Sequence, residues 1–344
     1  METENEKVKN SKKPMISVLI AVLVVIVILL AAVLIGMYQI KHLVNYEPID
    51  KGDLDINDNL YNEIVDLAND GEHNAITQEE FNQIVNIVLF GVDARDSEFS
   101  GRTDTIMIAS INPQYKSLKL ISIPRDTYVN IPGHGMDKIN HAYAFGKEQL
   151  SLKTINNNFG LNITEYMTID FSGLIHVIND IGGIDLTISQ DELRVLNQYL
   201  PASYKLTGKP NVPMTEYGDV HMNGEQALAH SRNRYVGSDF TRATRQRDVL
   251  QAIMDKMSQM STTQQLELIK SFLKEVRTNI DVLGYTKYMP SLVGSYNEYK
   301  NNTISKQIPS TKYARGKMIN KIYYFVPDSI ETAKKDFQTT LYEK

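Results

Sequence analysis

The chain has 344 residues, with 36 Lys plus Arg and 41 Asp plus Glu, so its formal net charge is −5. This balance argues against a protein that coats nucleic acid, and the length allows one large domain or two ordinary ones. The chain has no Cys, which excludes a disulfide framework, thiolate zinc sites and cysteine nucleophiles. Five of the 11 arginines lie between residues 232 and 247. Because arginine forms bidentate pairs with phosphate and carboxylate, this clustering indicates an anion site.

An uncharged segment near the N-terminus predicts a membrane anchor. Residues 15–37 are 23 residues dominated by Ile, Leu, Val and Ala, which is long enough to span a bilayer as a helix and too long for the apolar part of a cleaved signal peptide. Four lysines between residues 7 and 13 place the N-terminus in the cytoplasm by the positive-inside rule. We therefore predict a single-pass cell-membrane protein with a cytoplasmic tail at 1–13, an anchor at 14–40 and everything else outside the cell.

The outer part alternates strand and helix patterns. Residues 41–85 are polar and acidic, with helical spacing at Leu60, Ile64 and Leu67, which predicts a stalk and a helix. Interleaved strands and helices then favour an α/β fold, a three-layer α/β/α sandwich with a mixed sheet. The predicted strands are 87–90, 105–109, 118–123, 166–169 and 321–326, and the predicted helices are 143–159, 171–181, 223–230, 239 to about 260, 263–276 and 329–342.

Charged residues flank the first three strands at what should be one edge of the sheet. The connection at 113–116 is short, so the second and third strands should be antiparallel, and the first strand can extend the meander. Two carboxylates and two arginines on one edge suit a metal–phosphate site, because Mg²⁺ prefers carboxylate oxygens and keeps water or phosphate oxygens as its other ligands. The residues gathered there would be Asp93, Arg102, Asp104, Arg125 and Asp126.

A second basic cluster opens the helix predicted from residue 239. Arg242, Arg245 and Gln246 stand at i, i+3 and i+4 on one face, and the same stripe continues into apolar residues. These basic groups should therefore point inward, at a helix N-terminus that favours anions. Several convergent arginines call for a multiply charged anion, and pyrophosphate has the right size. Arg247 falls off the stripe and is interpreted as a surface or partner-pairing residue.

Seven motifs occur in an order that resembles the LytR-CpsA-Psr family. The resemblance covers about residues 86–262, and a membrane segment precedes this region as it does in the family. The motifs are NIVLFGVD at 86–93, RTDTIM at 102–107, SIPRDT at 122–127, KINHAY at 138–143, NGEQAL at 223–228, SRNRY at 231–235 and RQR at 245–247.

The resemblance implies a wall-polymer ligase of Gram-positive bacteria. Such enzymes move an anionic glycopolymer (teichoic acid or capsular polysaccharide) from undecaprenyl pyrophosphate to the C6 hydroxyl of N-acetylmuramic acid in peptidoglycan. By motif position, Asp93 and Asp104 would hold Mg²⁺ and belong with Arg102 and Arg125 to the catalytic set. The family often has Gly where Thr241 stands here, which leaves Arg245 as an alternative to Arg242. The implied pyrophosphate ligands are Arg102, Arg125, Arg232, Arg234, Arg242 and Gln246.

Residues 86–262 would then be the catalytic domain, with 263–344 as an extension packed on it. The proton acceptor for the attacking hydroxyl would be Asp93, with Asp126 as the weaker candidate. Three other readings stay open: a polyprenyl pyrophosphate hydrolase, a membrane-bound regulator of cell-envelope transcription, and a non-catalytic wall-polymer or lipid-binding protein. A cytoplasmic tail of 13 residues is too short for a DNA-binding module, which argues against the regulator.

Overall fold

The computed structural model describes residues 44–69, 76–94, 99, 101–233, 239–281 and 296–342, with side chains described throughout except at 69, 239–241 and 296–297. The predicted tail and anchor lie outside the described residues. Within the described ranges, no helix is both long and apolar enough to cross a membrane.

Strands and helices alternate along the described chain. The strands are β1 (Asn45–Tyr46), β2 (Val85–Val92), β3 (Thr103–Asn112), β4 (Ser117–Ser122), β5 (Tyr128–Ile131), β6 (Gly135–Lys138), β7 (Glu165–Asp170), β8 (Ile184–Ile188), β9 (Gly218–Met222), β10 (Val276–Thr278), β11 (Thr303–Gln307), β12 (Ala314–Ile319) and β13 (Ile322–Pro327). The helices are α1 (Leu60–Asn69), α2 (Gln78–Gln83), α3 (His141–Phe159), α4 (Phe171–Asp180), α5 (Gln190–Thr207), α6 (Gly224–Ser231), α7 (Asp239–Ser258), α8 (Thr262–Glu275), α9 (Tyr296–Asn301) and α10 (Ile330–Tyr342).

A mixed seven-stranded sheet organises the fold, in the order β1-β10-β7-β2-β3-β4-β11. The predicted meander is confirmed, because β2 pairs antiparallel with β3 and β3 pairs antiparallel with β4. β7 and β11 run parallel to β2 and β4, respectively. The carboxyl ends of β2, β4, β7 and β11 therefore share one edge with the start of β3, and we call this the site edge. β10 runs antiparallel to β7 and β1 runs parallel to β10, so β1 also begins at the site edge, at Asn45.

Alternating residues of the central strands fill the first apolar core. Val88, Phe90 and Val92 on β2 are fully buried and belong to one cluster with α3 and α10. Phe159 at the end of α3 packs against Phe337 of α10, with ring centroids 4.5 Å apart. Burying side chains of this kind contributes about 1.5–3 kcal/mol each. This core fixes α3 and α10 on the sheet.

A second apolar core lies among α4 to α8 and the β8–β9 hairpin. Val249 and Ile253 of α7 belong to it, so the apolar stripe that follows the arginines faces inward as predicted. Capping boxes at Ser189 and Asn223 begin α5 and α6, because each side chain accepts the third backbone N–H of its helix. The second core thus fixes α7 against the rest of the fold.

The sheet draws on more of the chain than residues 86–262. β1 comes from the segment predicted as a stalk, while β10 and β11 come from the segment predicted as an extension. The compact unit begins at Asn45. A mixed α/β fold with a central mixed sheet is confirmed.

Candidate functional site

A β-bulge presents Asp104 at the site edge. Gly91 of β2 pairs with Thr105 of β3, but the next residue, Val92, pairs with Thr103. Asp104 is therefore the extra residue on β3, and a bulge of this kind re-aims the side chain it carries. Its carboxylate ends up partly buried beside the neighbouring strand β4.

Asp93 and Arg102 close a loop at the same place. The Asp93 N–H donates to the carbonyl of Arg102 at 3.3 Å. Gly101 adopts a φ of 144°, and a Cβ at this position would lie 2.7 Å from the Asp93 carbonyl oxygen. Only glycine allows this approach without strain, so the glycine positions both ends of the loop. Arg102 is exposed, and its backbone carbonyl is the group that pairs with Asp93.

Arg125 is held among carboxylates just beyond β4. Its Nη1 pairs with Asp104 Oδ1, and its Nε lies 3.6 Å from Asp126 Oδ2. The other carboxylate oxygen of Asp126 accepts a hydrogen bond from Lys138 Nζ at 2.6 Å. Asp126 is buried and neutralised by two cations, so its position suits support of Arg125 better than acceptance of a proton.

Arg232 reaches the site edge from the end of α6. Its Nη2 lies 3.9 Å from Asp93 Oδ2. The guanidinium carbon lies 4.7 Å from the ring centroid of Phe171 and 5.9 Å from that of Tyr199. Cation–π contacts of this geometry restrict the guanidinium without consuming its N–H donors. Arg232 is therefore placed next to Asp93 with donors that can face a ligand.

Arg242 and Arg245 are both buried on α7. Arg245 is committed to protein partners: its Nε donates to Glu192 Oε1 at 2.7 Å and its Nη1 to the Asn233 carbonyl at 3.1 Å. Burial alone would raise the pKa of Glu192, but the Ser189 N–H and Arg245 outweigh it and hold that pKa below its usual value. Arg245 thus ties α5 to the segment that follows Arg232.

Arg247 is half-buried and pairs with the sheet rather than lying on the surface. Its Nη1 donates to Ser122 Oγ at 2.9 Å, at the last residue of β4 and three residues before Arg125. Burial lowers the pKa of its guanidinium. Periodicity on α7 could not show this contact, because it depends on how the helix crosses the sheet.

A buried, mostly polar cluster that the sequence did not reveal holds Phe99, which lies between Asp93 and Arg102 in the sequence. We call it the loop clasp, and it consists of Phe99, Tyr143, Glu148, Thr168 and Arg277. Glu148 Oε1 accepts from Arg277 Nη2 at 2.7 Å and from Thr168 Oγ1 at 2.8 Å. The Arg277 guanidinium lies 4.7 Å from the Phe99 ring centroid, and Tyr143 Oη lies 3.3 Å from the Phe99 carbonyl oxygen.

The protein supplies only some of the ligands that a Mg²⁺ ion would need. No group of three or more His, Cys, Asp or Glu side chains among the described residues could hold a metal ion. Asp93 and Asp104 supply two carboxylates at adjacent strand ends, and Mg²⁺ is commonly bound through one or two carboxylates together with water and substrate phosphates. The two residues are therefore compatible with a magnesium ion that arrives with a phosphorylated substrate.

The structure thus brings most of the predicted site residues to one edge. Asp93 with Arg232, and Asp104 with Arg125, form two cation–carboxylate contacts there. Gln246 is half-buried on α7, one residue before Arg247. Arg234 lies outside the described residues.

Comparison with known proteins gives consistent matches. A sequence profile of the LytR_cpsA_psr family matches residues 54–341. A relative from Oceanobacillus iheyensis, the polyisoprenyl-teichoic acid--peptidoglycan teichoic acid transferase TagU, is 33% identical over 278 residues, covering 76% of this chain and 79% of the relative. Two solved structures match over 79% of this chain and 97% of theirs. They are TagT bound to LIIa-WTA, with a TM-score of 0.59 and 27% identity, and YwtF (TagT) with bound octaprenyl pyrophosphate lipid, with a TM-score of 0.54 and 25% identity.

Proposed function

Because the chain belongs to the LytR-CpsA-Psr family, we propose that it is a phosphotransferase that attaches an anionic glycopolymer to peptidoglycan. The donor is teichoic acid or capsular polysaccharide on undecaprenyl pyrophosphate, and the acceptor is the C6 hydroxyl of N-acetylmuramic acid. The observation that carries the proposal is the convergence of Arg125 and Arg232 with Asp93 and Asp104 on one edge of the sheet. The transferase name of the relative and the pyrophosphate lipid in the YwtF (TagT) structure support it.

Phosphoryl transfer requires mainly positioning and charge neutralisation from a protein. Arg125 and Arg232 enter the site from different elements, Arg125 beside Asp126 and Arg232 over the Phe171 ring. Guanidinium groups are the side chains that pair best with phosphate oxygens. Arg102 is exposed at the start of β3, on the same edge, and would add a third guanidinium there. Together these cations stabilise the negative charge that grows on the bridging oxygen during transfer.

Asp93 is the proposed proton acceptor. Its carboxylate meets Arg232 at 3.9 Å, which is too long for a strong hydrogen bond, so it can still accept a proton. The acceptor oxygen attacks the phosphorus that bears the polymer, its proton passes to Asp93, and the bond to the bridging oxygen breaks to release undecaprenyl phosphate. Mg²⁺ held by Asp93 and Asp104 would neutralise charge on the pyrophosphate oxygens when it is bound.

We also propose that the enzyme is anchored in the cell membrane with its domain outside the cell. The single N-terminal anchor, the cytoplasmic N-terminus and a domain outside the cell remain as predicted from the sequence, as does the three-layer arrangement of sheet and helices. A lipid carrier in the same membrane as the anchor gives the site access to its donor.

The decisive experiment is transfer by the purified full chain from a defined lipid-linked glycopolymer to peptidoglycan oligomers with Mg²⁺. Arg102→Ala should lower the rate by roughly 100-fold or more, since one lost charge-stabilising donor costs about that much. Arg194→Ala is the matched control, because Arg194 is an exposed arginine on α5 whose contact with Asp191 is 3.9 Å. A normal rate for Arg102→Ala would contradict the site assignment.

The same assay separates the competing functions. Release of phosphorylated polymer into water at an unchanged rate when acceptor is added would identify a hydrolase. Binding of the donor lipid with no product under any condition would identify a non-catalytic binding protein. Only a new phosphodiester to peptidoglycan, formed at the expense of the donor lipid, supports the proposed transfer.

A further inference from the structure

The β12–β13 hairpin exposes apolar side chains at its tip. A two-residue turn joins the strands, and both Asn320 and Lys321 have positive φ, at 50° and 66°. This geometry is typical of a type I′ turn, which makes a tight and well-ordered tip. Met318, Ile322 and Tyr323 around the turn are 65%, 49% and 40% exposed. Three exposed apolar residues within six positions indicate an interaction surface.

The charge of this region has one sign. Residues 299–327 contain six Lys and Arg and no Asp or Glu. Arg315 at the hairpin base pairs with Asp328. In the described part of the chain, the exposed Lys317 and Lys321 near the tip have no acidic partner. The tip therefore combines apolar side chains with uncompensated positive charge.

The hairpin is attached directly to the site edge. The Phe325 N–H donates to the Asp126 carbonyl at 2.8 Å, and Tyr324 packs edge-on against Tyr128 at a centroid distance of 4.7 Å. Asp126 in turn pairs with Arg125. The turn lies four residues before Phe325, which corresponds to about 13 Å along a strand.

The tip lies on the same side as the site. α3 begins at the site edge, where the Asn140 N–H donates to the Arg125 carbonyl, and ends at Phe159. β13 leads from the turn into α10, whose Phe337 packs against Phe159 at the far end of α3. The strand β13 therefore runs away from the site edge, and its turn points beyond that edge.

The chain also enters the domain at this edge. β1 begins at Asn45 beside the start of β10, on the side where β2 ends. The predicted anchor ends at residue 40, and the five residues from there to Asn45 span at most about 18 Å when fully extended. Under the proposed anchor, Asn45 at the start of β1 therefore lies within that reach of the bilayer surface.

We propose that the β12–β13 hairpin docks onto an anionic phospholipid surface. Met318, Ile322 and Tyr323 enter the headgroup layer, while Lys317 and Lys321 contact lipid phosphates; mixed apolar and basic surfaces bind anionic bilayers in this way. The docked hairpin would hold the site edge over the membrane that carries the lipid-linked donor. This inference rests on the proposed function for the anchor and the donor, but its test does not require transfer.

The chain has no Trp and no Cys, so a single introduced Trp reports on one place. Tyr323→Trp in the full chain, reconstituted into nanodiscs, should show blue-shifted fluorescence that brominated lipids quench. The effect should be strong with phosphatidylglycerol and weak with phosphatidylcholine. Tyr217→Trp is the control, because Tyr217 is 59% exposed and precedes β9. Lys317→Gln and Lys321→Gln, introduced together into the Tyr323→Trp protein, should lower the ratio of docked to undocked hairpin about 30-fold. Each lysine near an anionic surface contributes roughly a fivefold factor to that ratio.

Equal quenching of the Tyr323→Trp and Tyr217→Trp reporters in both lipids would overturn the proposal. It would also be overturned if the two Lys→Gln changes weakened binding of lipid-free anionic glycopolymer and left quenching unaltered, because the hairpin would then be a polymer site. Transfer measured in detergent micelles tests the proposed function separately. The Lys→Gln variant should keep its normal rate there, and a failure of transfer by the unaltered chain would count against the function and not against docking.

Discussion

Removing the carboxylate of Glu148 should destabilise the whole domain. Glu148 is 3% exposed, and Arg277, which it neutralises, is 7% exposed. Burial alone would lower the pKa of Arg277, but attraction by Glu148 raises it above its usual value. Glu148→Ala would leave this cation in the core with one bonding partner fewer, and Thr168 would lose its acceptor. Breaking a buried pair from one side costs about 3–5 kcal/mol.

Thermal unfolding of the full chain in detergent, followed by circular dichroism, measures this effect. The compact unit Asn45–Lys344 is large, and at about 2.1 cal/mol/K of unfolding entropy per residue its midpoint shifts by roughly 1.6 °C per kcal/mol, so the midpoint should fall by roughly 5–8 °C. Glu267→Ala is the matched control, because Glu267 forms an exposed pair with Lys270 on α8. Such surface pairs contribute about 0–1 kcal/mol, so the control should stay within a few degrees.

A Glu148→Ala midpoint no lower than that of Glu267→Ala would refute the reasoning.

The loop clasp also predicts a consequence for catalysis. Phe99 lies between Asp93 and Arg102 in sequence and packs under Arg277. Phe99→Leu, which keeps apolar bulk but removes the ring, should lower the transfer rate, and Phe99→Trp should restore a substantial part of it.

Three further outcomes follow from the structure. Gly101→Ala should slow transfer about 100-fold, because its Cβ would displace the Asp93 backbone and strain the loop, and an unchanged rate would contradict the loop geometry. Burial lowers the pKa of His230 from 6.5 to about 4, so the unfolded state binds the extra proton and stability is lost as pH falls below 6.5. The free energy of unfolding, measured with urea, should fall by about 2 kcal/mol between pH 7 and pH 5, and this loss should disappear in His230→Gln. A chelator should stop transfer and added Mg²⁺ should restore it, whereas Asp104→Asn should raise the Mg²⁺ concentration required; full activity in chelator would exclude the metal.

The sequence carried enough information to assemble the centre of the site. The short turn at 113–116 forces β3 and β4 to be antiparallel, and that pairing places Asp104 and Arg125 side by side. Helical spacing on α7 likewise placed Arg242 and Arg245 on a buried face, as observed.

What the sequence could not show depends on contacts between distant residues. Glu148 and Arg277 are 129 positions apart, and no local pattern links them. β10 has three residues and β1 has two, so neither gives a periodic signal, although both complete the sheet. The contact of Arg247 with Ser122 depends on the crossing of α7 over β4, which periodicity does not determine.

The choice between the two stripe arginines can be argued from energy. Arg245 is 3% exposed and satisfies Glu192 and the Asn233 carbonyl, so turning it to a ligand would first break a buried ion pair at a cost of about 3–5 kcal/mol. A pyrophosphate would have to supply that energy before any gain in affinity. Arg242 lies one turn nearer the helix N-terminus, where anions are favoured, and remains the ligand that the motif order implies. Arg245 instead fixes the backbone that follows Arg232, so Glu192→Gln should weaken donor-lipid binding through misplacement of Arg232, and unchanged binding would return Arg245 to the ligand set.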